Sequence, residues 1–180
     1  MNVVDLPLAG LKLIEPKIFG DARGQFLETW NAERYAAAGV PGPFIQDNLS
    51  RSKRNTVRGL HWQNPNAQGK LVSVVAGAVW DAVVDIRRAS PTFGKWYGVE
   101  LTAENRRQLW VPAGFAHGFS VLSDFADFTY KVTGPYSPND EHVLRWDDPA
   151  IGIDWKIDPP AAILSARDAA APMLGAIAAV

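Results

Sequence analysis

Apolar and polar residues alternate with a period of two from Val79 to Arg87. Trp80, Ala82, Val84 and Ile86 fall on one side, and Val79, Asp81, Val83, Asp85 and Arg87 on the other. That period predicts a β-strand. Leu71 to Ala76 (LVSVVA) predicts a second strand, with Gly77 as the turn between the two. Trp96 to Leu101, Gln108 to Val111, Gly118 to Leu122 and Asp127 to Val132 predict further strands. Short segments rich in Val, Trp, Phe and Tyr, punctuated by 13 prolines and 15 glycines, indicate an all-β sandwich or barrel. Helix is scarce. Asn31 to Gly39 predicts one short helix, capped by Asn31 and ended by Gly39. Thr102 to Asn105 predicts a turn between strands. The alanine-rich stretch from Asp168 to Val180 predicts a terminal helix or a frayed tail, broken at Pro172.

Composition narrows the classes. The 180 residues suit one domain, and no repeat, linker or shift in composition divides them, so residues 1–180 are expected to form a single domain. With 47% hydrophobic residues, a large core needs no disulfide or metal to support it. A net charge of −1 gives no global basic field, so neither nucleic acid nor an anionic membrane is an expected partner. Anion recognition must come from a few local arginines and lysines. The absence of cysteine excludes disulfides, a thiolate nucleophile and Cys-ligated metals, and is compatible with the cytoplasm. The opening MNVVDLPLAGLKLIEPK lacks a basic segment followed by a long apolar one, so no signal peptide is expected. No uncharged run approaches the length of a membrane span.

The chain has three histidines: His61, His117 and His142. His142 lies in the polar stretch SPNDEH and is expected at the surface in water. His117 lies in VPAGFAHGF, whose PxGxxH spacing matches the second half-motif of the cupin superfamily. A turn followed by a hydrogen-bonded core histidine would look the same. His61 lies in VRGLHWQ, at the place of the first cupin half-motif. Metal-binding cupins have HxH there, so that strand alternation aims both imidazoles at one ion. Here the pattern is His61-Trp62-Gln63, and no Glu follows at the matching distance. Two imidazoles without an anionic ligand would hold a divalent ion weakly, so no metal is expected and His61 is free to act as a base.

Further motifs run nearly the whole length. They are DARGQFLE (Asp21 to Glu28), QDNLS (Gln46 to Ser50), VRGLHWQ, QGKLV (Gln68 to Val72), VDIR (Val84 to Arg87) and SPTFG (Ser90 to Gly94). PAGFAHGF (Pro112 to Phe119), YKVT (Tyr130 to Thr133) and WDDP (Trp146 to Pro149) follow. In their number and order these motifs resemble the dTDP-4-dehydrorhamnose 3,5-epimerase family, cupin-fold enzymes that use no metal. Two departures are visible: Trp62 stands where the family often has tyrosine, and Gly134 where a polar residue is common. Neither removes a functional group.

The resemblance implies a cupin-type β-barrel or jelly roll with a few short helices, and dTDP-4-keto-6-deoxy-D-glucose as substrate. It implies no cofactor, because the C4 ketone is itself the electron sink. His61 would be the base and Asp168 its carboxylate partner. Asp168 could equally serve as a helix N-cap ahead of the alanine run. Lys70 would stabilise the enolate oxygen and Tyr130 would be the general acid on the opposite face. Arg58, Arg23 and Arg167 are anion candidates, although Arg167 could simply be a solvated surface charge. His117, Phe19, Phe26, Glu28, Gln46 and Asn48 would complete the substrate contacts. Some of these come from a neighbouring subunit, in a homodimer with an exchanged N-terminal segment. Asp81 or Asp85 is expected to orient Lys70 or His61. Arg58 and His61, three residues apart, need not strictly share a face, because Gly59 permits a bulge or bend that would let both reach the cavity.

Other readings stay open on the sequence. A sister enzyme could invert only C3 or only C5, and a keto-isomerase could use the same cavity. A metal-dependent cupin oxygenase is opposed by HWQ. A non-catalytic sugar-binding cupin is opposed by the presence of His61, Lys70, Tyr130 and Asp168 together.

Overall fold

A computed structural model of the protein describes residues 1–177 and Val180. The chain begins with β1 (Asn2–Asp5), β2 (Lys12–Glu15), β3 (Ile18–Asp21), β4 (Gly24–Leu27) and helix α1 (Ala32–Ala37). The central strands are β5 (Gln46–Lys53), β6 (Val57–Gln63), β7 (Lys70–Ala76), β8 (Ala78–Asp85) and β9 (Trp96–Thr102). After them come β10 (Gln108–Val111), β11 (Phe115–Val121), β12 (Phe125–Val132), β13 (Glu141–Val143) and the one-turn helix α2 (Ala166–Ala169). Six strands form one sheet in the order β1-β2-β10-β7-β12-β5, and five form a second in the order β13-β6-β11-β8-β9. All pairings in both sheets are antiparallel. The two sheets face each other as a cupin-like jelly roll, as expected.

Between the sheets, Val72, Val74, Val79, Val83, Leu109, Phe115, Phe119 and Phe128 form a dry core. Each such side chain contributes about 1.5–3 kcal/mol by leaving water. Strand β8 explains how the period of two is used. Val79, Asp81 and Val83 point between the sheets, whereas Ala82, Val84 and, just beyond the strand, Ile86 pack against a second core on the outer side. That second core is built from Trp146, Ile151, Trp155, Leu174 and Ile177. Both faces of the strand are therefore buried.

The outer layer corrects the expectation of a terminal helix or frayed tail. Helix α2 ends at Ala169, and Pro172 allows no continuation. The chain runs on in a 3₁₀ turn at Leu174–Ala176. Leu174 N–H donates to Asp148 Oδ2 at 2.6 Å, and Arg145 N–H donates to the Pro172 carbonyl at 2.9 Å. Alanines alone would not hold this segment; the buried Leu174 and Ile177 do. Of the expected tail, residues 178 and 179 lie outside the described residues. The N-terminal helix forms where expected. Asn31 accepts from Arg34 N–H as its N-cap, and Gly39 sits just beyond its end at φ +80°. Among the described residues no helix is long and apolar enough to cross a membrane.

Strands β3 and β4 pair only with each other, in a hairpin that belongs to neither sheet. It leaves Phe19 53% and Phe26 70% exposed. Neither aromatic ring is part of the core.

Candidate active site

Strand β6 answers how Arg58 and His61 come to share a face. In its pairing with β11, His61 lies opposite His117 and Arg58 opposite Phe119, so β6 uses one residue more than its partner. The extra residue is a β-bulge at Gly59, which has φ +117°. The bulge resets the alternation. Val57, Leu60 and Trp62 all join the outer core, while Arg58, His61 and Gln63 line the interior cleft. Only glycine serves here. A Cβ on Gly59 would lie 2.6 Å from Gly118 Cα and 2.7 Å from the His117 carbonyl oxygen.

Strands of both sheets line the cleft. Its lining includes Arg58, His61, Lys70, His117, Tyr130 and Glu141. Its volume of about 180 Å³ falls below the range usual for a drug-sized ligand. It suits one sugar ring, with any larger ligand continuing out along the rim.

His61 Nε2 lies 2.6 Å from Asp168 Oδ1. The histidine is 30% exposed towards the cleft and the aspartate behind it only 4%. Burial works against ionisation of Asp168. The hydrogen bond and charge of His61, the Ser165 hydroxyl and the Gly59 backbone N–H outweigh it, and the pKa falls below the ordinary carboxylate value. An ionised carboxylate only accepts, so His61 Nε2 is the N–H donor and Nδ1 is the basic nitrogen. Ser165, not Asp168, caps helix α2: its Oγ accepts from Asp168 N–H at 3.1 Å.

Lys70 opens β7 with its Nζ 3.4 Å from the His61 carbonyl oxygen. Desolvation lowers its pKa to about 8, against the opposing pull of Glu141 and Asp81. Tyr130 points into the cleft from β12, opposite Asn48 on β5. Burial raises its pKa, as does Glu141, while Arg58 acts in the other direction. Arg58 Nε donates to Ser52 Oγ at 2.9 Å, and among the described residues no carboxylate forms a salt bridge with it. The guanidinium is thus held in place with its charge uncompensated, as anion binding requires.

Several expectations need correction. Asp81 orients neither Lys70 nor His61: it lies fully buried with both carboxylate oxygens 2.9 Å from His117 Nε2. Asp85 is taken by Arg87, Ser90 and Thr92. His142 is not a solvated surface residue. It stacks on Trp62 with ring centroids 5.4 Å apart, and its Nε2 lies 3.0 Å from the Asn64 carbonyl. Arg167 is not a free surface charge either, because it binds both the carboxylate and the carbonyl oxygen of Glu141. Gln63 is committed to a loop: its amide donates to the Asn66 and Pro135 carbonyls and accepts from Ser137 N–H. Among the described residues, no group of three or more His, Asp or Glu side chains converges as a metal site would need.

The remaining expected residues stand apart from the cleft. Arg23, at the tip of the β3–β4 hairpin, pairs with Asp21, and Phe19 and Phe26 are exposed on the same hairpin. Glu28 pairs with Arg34 at 3.4 Å. Gln46 donates to Asn48 Oδ1 at the end of β5. Sequence reasoning missed Tyr136 and Glu141, which line the cleft and are joined by a 3.0 Å hydrogen bond. Tyr136 sits in a polar stretch and Glu141 opens β13 just after it, a region whose composition suggests only a turn. It also missed Ser52 and Ser165, whose role depends on contacts no local pattern reveals.

A jelly roll whose interior places a histidine–carboxylate pair, an ammonium, a phenol and a free guanidinium around one small cleft defines an enzyme of proton transfer on an anionic sugar derivative. The profile of the dTDP-4-dehydrorhamnose 3,5-epimerase family matches residues 5–176, and the chain belongs to that family. It is 52% identical to the dTDP-4-dehydrorhamnose 3,5-epimerase of Salmonella typhimurium, covering 97% of this chain and 96% of that one. It superimposes on the crystal structure of dTDP-6-deoxy-D-glucose-3,5-epimerase from Legionella pneumophila in complex with dTDP-4-keto-L-rhamnose. The TM-score is 0.95 at 51% identity, over 98% of this chain and 94% of that one. A dTDP-4-dehydrorhamnose 3-epimerase from Streptomyces niveus is 41% identical over 97% of this chain and 84% of its own.

Proposed function

We propose that this protein is an isomerase that inverts C3 and C5 of dTDP-4-keto-6-deoxy-D-glucose to give dTDP-4-keto-L-rhamnose. The observation that carries the reading is the His61–Asp168 pair beside Lys70 and Tyr130 in one cleft. His61 Nδ1 takes the proton from the carbon next to the ketone, and the C–H electron pair moves into the C4 oxygen as an enolate. The Asp168 carboxylate stabilises the imidazolium that results. The Lys70 ammonium stabilises the enolate oxygen. Tyr130 returns a proton to the carbon from the other face, inverting it, and the ketone re-forms. Arg58 holds the pyrophosphate by charge-assisted hydrogen bonds.

The test is to incubate the protein with the substrate in D₂O and follow the C3 and C5 protons by NMR. Exchange at both positions with formation of the L-rhamno product is the expected result. Exchange at neither, despite binding, would overturn the reading. The relative from Streptomyces niveus makes a C3-only enzyme the second reading, and exchange confined to one carbon would establish it.

Lys70 sets an alkaline limit. Its enolate-stabilising charge is lost as pH rises through about 8, so kcat should fall there, and Lys70→Arg should remove that limb. The stability effect has the opposite sign. An unfolded chain keeps this proton up to the ordinary lysine value of 10.5, whereas the folded chain releases it near 8. Across that window the unfolded state binds more protons, so this group's contribution to stability rises with pH. Urea unfolding should therefore find Lys70→Met more stable than wild type at pH 7, with the difference vanishing by pH 10.5.

The cleft has room for about one sugar ring, and the hairpin bearing Phe19, Phe26 and Arg23 stands free of both sheets. These two facts support a homodimer in which each hairpin completes the nucleotide end of the partner's site, with Glu28, Gln46 and Asn48 near that rim. Sedimentation should give twice the monomer mass, and Phe26→Ala should raise KM more than it lowers kcat. A monomer with full activity would refute the exchange. Acting on a nucleotide-activated sugar, the enzyme would work in the cytoplasm.

A further inference from the structure

Asp168 has two carboxylate oxygens, and each has its own side-chain donor. Oδ1 faces His61 Nε2 at 2.6 Å, and Oδ2 faces Ser165 Oγ at 2.9 Å. The same Oγ lies 3.1 Å from the Asp168 backbone nitrogen. An amide N–H can only donate and an ionised carboxylate can only accept. The hydroxyl therefore accepts from the first and donates to the second, which fixes its rotor. Ser165 and Asp168, three positions apart, are thus joined by two hydrogen bonds through one hydroxyl, closed on the very carboxylate that holds the base.

We propose that Ser165 is a positioning residue of the proton-transfer site, the outer member of a Ser165–Asp168–His61 chain that holds the imidazole as its Nε2–H tautomer. The inference rests on the reading of His61 as the base. The geometry of the carboxylate supports it. The carboxylate plane needs two anchors, one on each oxygen, to aim Oδ1 along the Nε2–H bond. The anchor at Oδ2 comes from a helix of only four residues, which lacks the length to be rigid by itself. Without Ser165 the carboxylate would keep His61 and the Gly59 backbone N–H but lose its side-chain anchor at Oδ2, so it could turn about its side-chain torsions and let His61 take either neutral form. Only the Nε2–H form leaves Nδ1 as the basic nitrogen.

The role differs from simple helix capping in a way that variants separate. Ser165→Ala and Ser165→Gly both remove the donor to Oδ2. Glycine is nearly as good an N-cap as serine and alanine is poor. Ser165→Thr keeps both hydrogen bonds. If Ser165 positions Asp168, Ala and Gly should each lower kcat roughly tenfold or more, in line with loss of a hydrogen bond to a charged group. KM should hardly change, and Thr should retain wild-type turnover.

The decisive readout needs no substrate. With three histidines in the chain, ¹⁵N NMR of the imidazoles, assigned with His61→Asn, reports the His61 tautomer directly. The expected result is a single Nε2–H form in wild type and Ser165→Thr, and a mixture in Ser165→Ala and Ser165→Gly. An unchanged tautomer in both variants would overturn the proposal, whatever the kinetics show. So would a loss confined to Ser165→Ala and accompanied by a lower Tm, which marks a structural cap. If the wild type showed the single tautomer but no epimerisation, the functional reading would fail and the positioning of His61 would stand.

Discussion

Replacing His61 with asparagine should lower epimerase turnover by roughly 10²- to 10⁴-fold, the usual contribution of a positioned general base. Asparagine keeps a polar group of similar reach but cannot take a proton near neutral pH. The loss should appear in kcat and in deuterium exchange at C3 and C5 together, because both need the same C–H bond broken. KM should change little, since Arg58 and the rim residues, not His61, would address the nucleotide diphosphate. Steady-state kinetics and NMR in D₂O check this on one preparation. Near-normal turnover in His61→Asn would exclude His61 as the base.

The second large effect is expected at a residue with no side chain. Gly59→Ala should destabilise the fold by about 3 kcal/mol through strain at a positive φ and a backbone collision. For a chain of this size that corresponds to a fall in Tm of roughly 6–12 °C. Gly59 has φ +117°, and a methyl group there would meet Gly118 Cα at 2.6 Å. Its neighbour offers no room to yield, because a Cβ on Gly118 would lie 2.5 Å from the Arg58 carbonyl oxygen. Any relaxation must shift β6 against β11 and so move His61 away from Asp168. Thermal unfolding and residual kcat should therefore fall together in Gly59→Ala. An alanine variant with wild-type Tm would show that the bulge tolerates a side chain.

Much of this architecture was legible in the sequence. The β8 alternation, the turn at Gly77 and the capped helix after Asn31 all form where local pattern places them, because each depends on neighbours within a few residues. That Gly59 could carry a bulge or bend between Arg58 and His61 was also legible. Which face of β8 lies between the sheets was not. The face with the aspartates reads as the polar one yet is buried between the sheets, and the other is covered by Trp146, Trp155, Leu174 and Ile177 from the far end of the chain. That end read as a loose alanine tail because its anchors are few and widely spaced. Within the site, His61, Lys70, Tyr130 and Arg58 were recognisable from motifs. Glu141 and Tyr136 at the cleft and Ser165 beside Asp168 were not, since their positions follow from tertiary contacts across β13 and α2. His142 was misjudged for the same reason: its polar neighbours hid the stack with Trp62.

His61 and Asp168 touch across a sequence separation of 107. Closing a loop of that length is an entropic cost met late, after local hairpins have formed. The strands that carry Arg58, Lys70 and Tyr130 can pair without α2, yet the base has no carboxylate until the outer layer docks. Enzymatic activity should thus be the last property to return on refolding, trailing the recovery of sheet structure. A partly folded chain would be catalytically silent, however native its barrel.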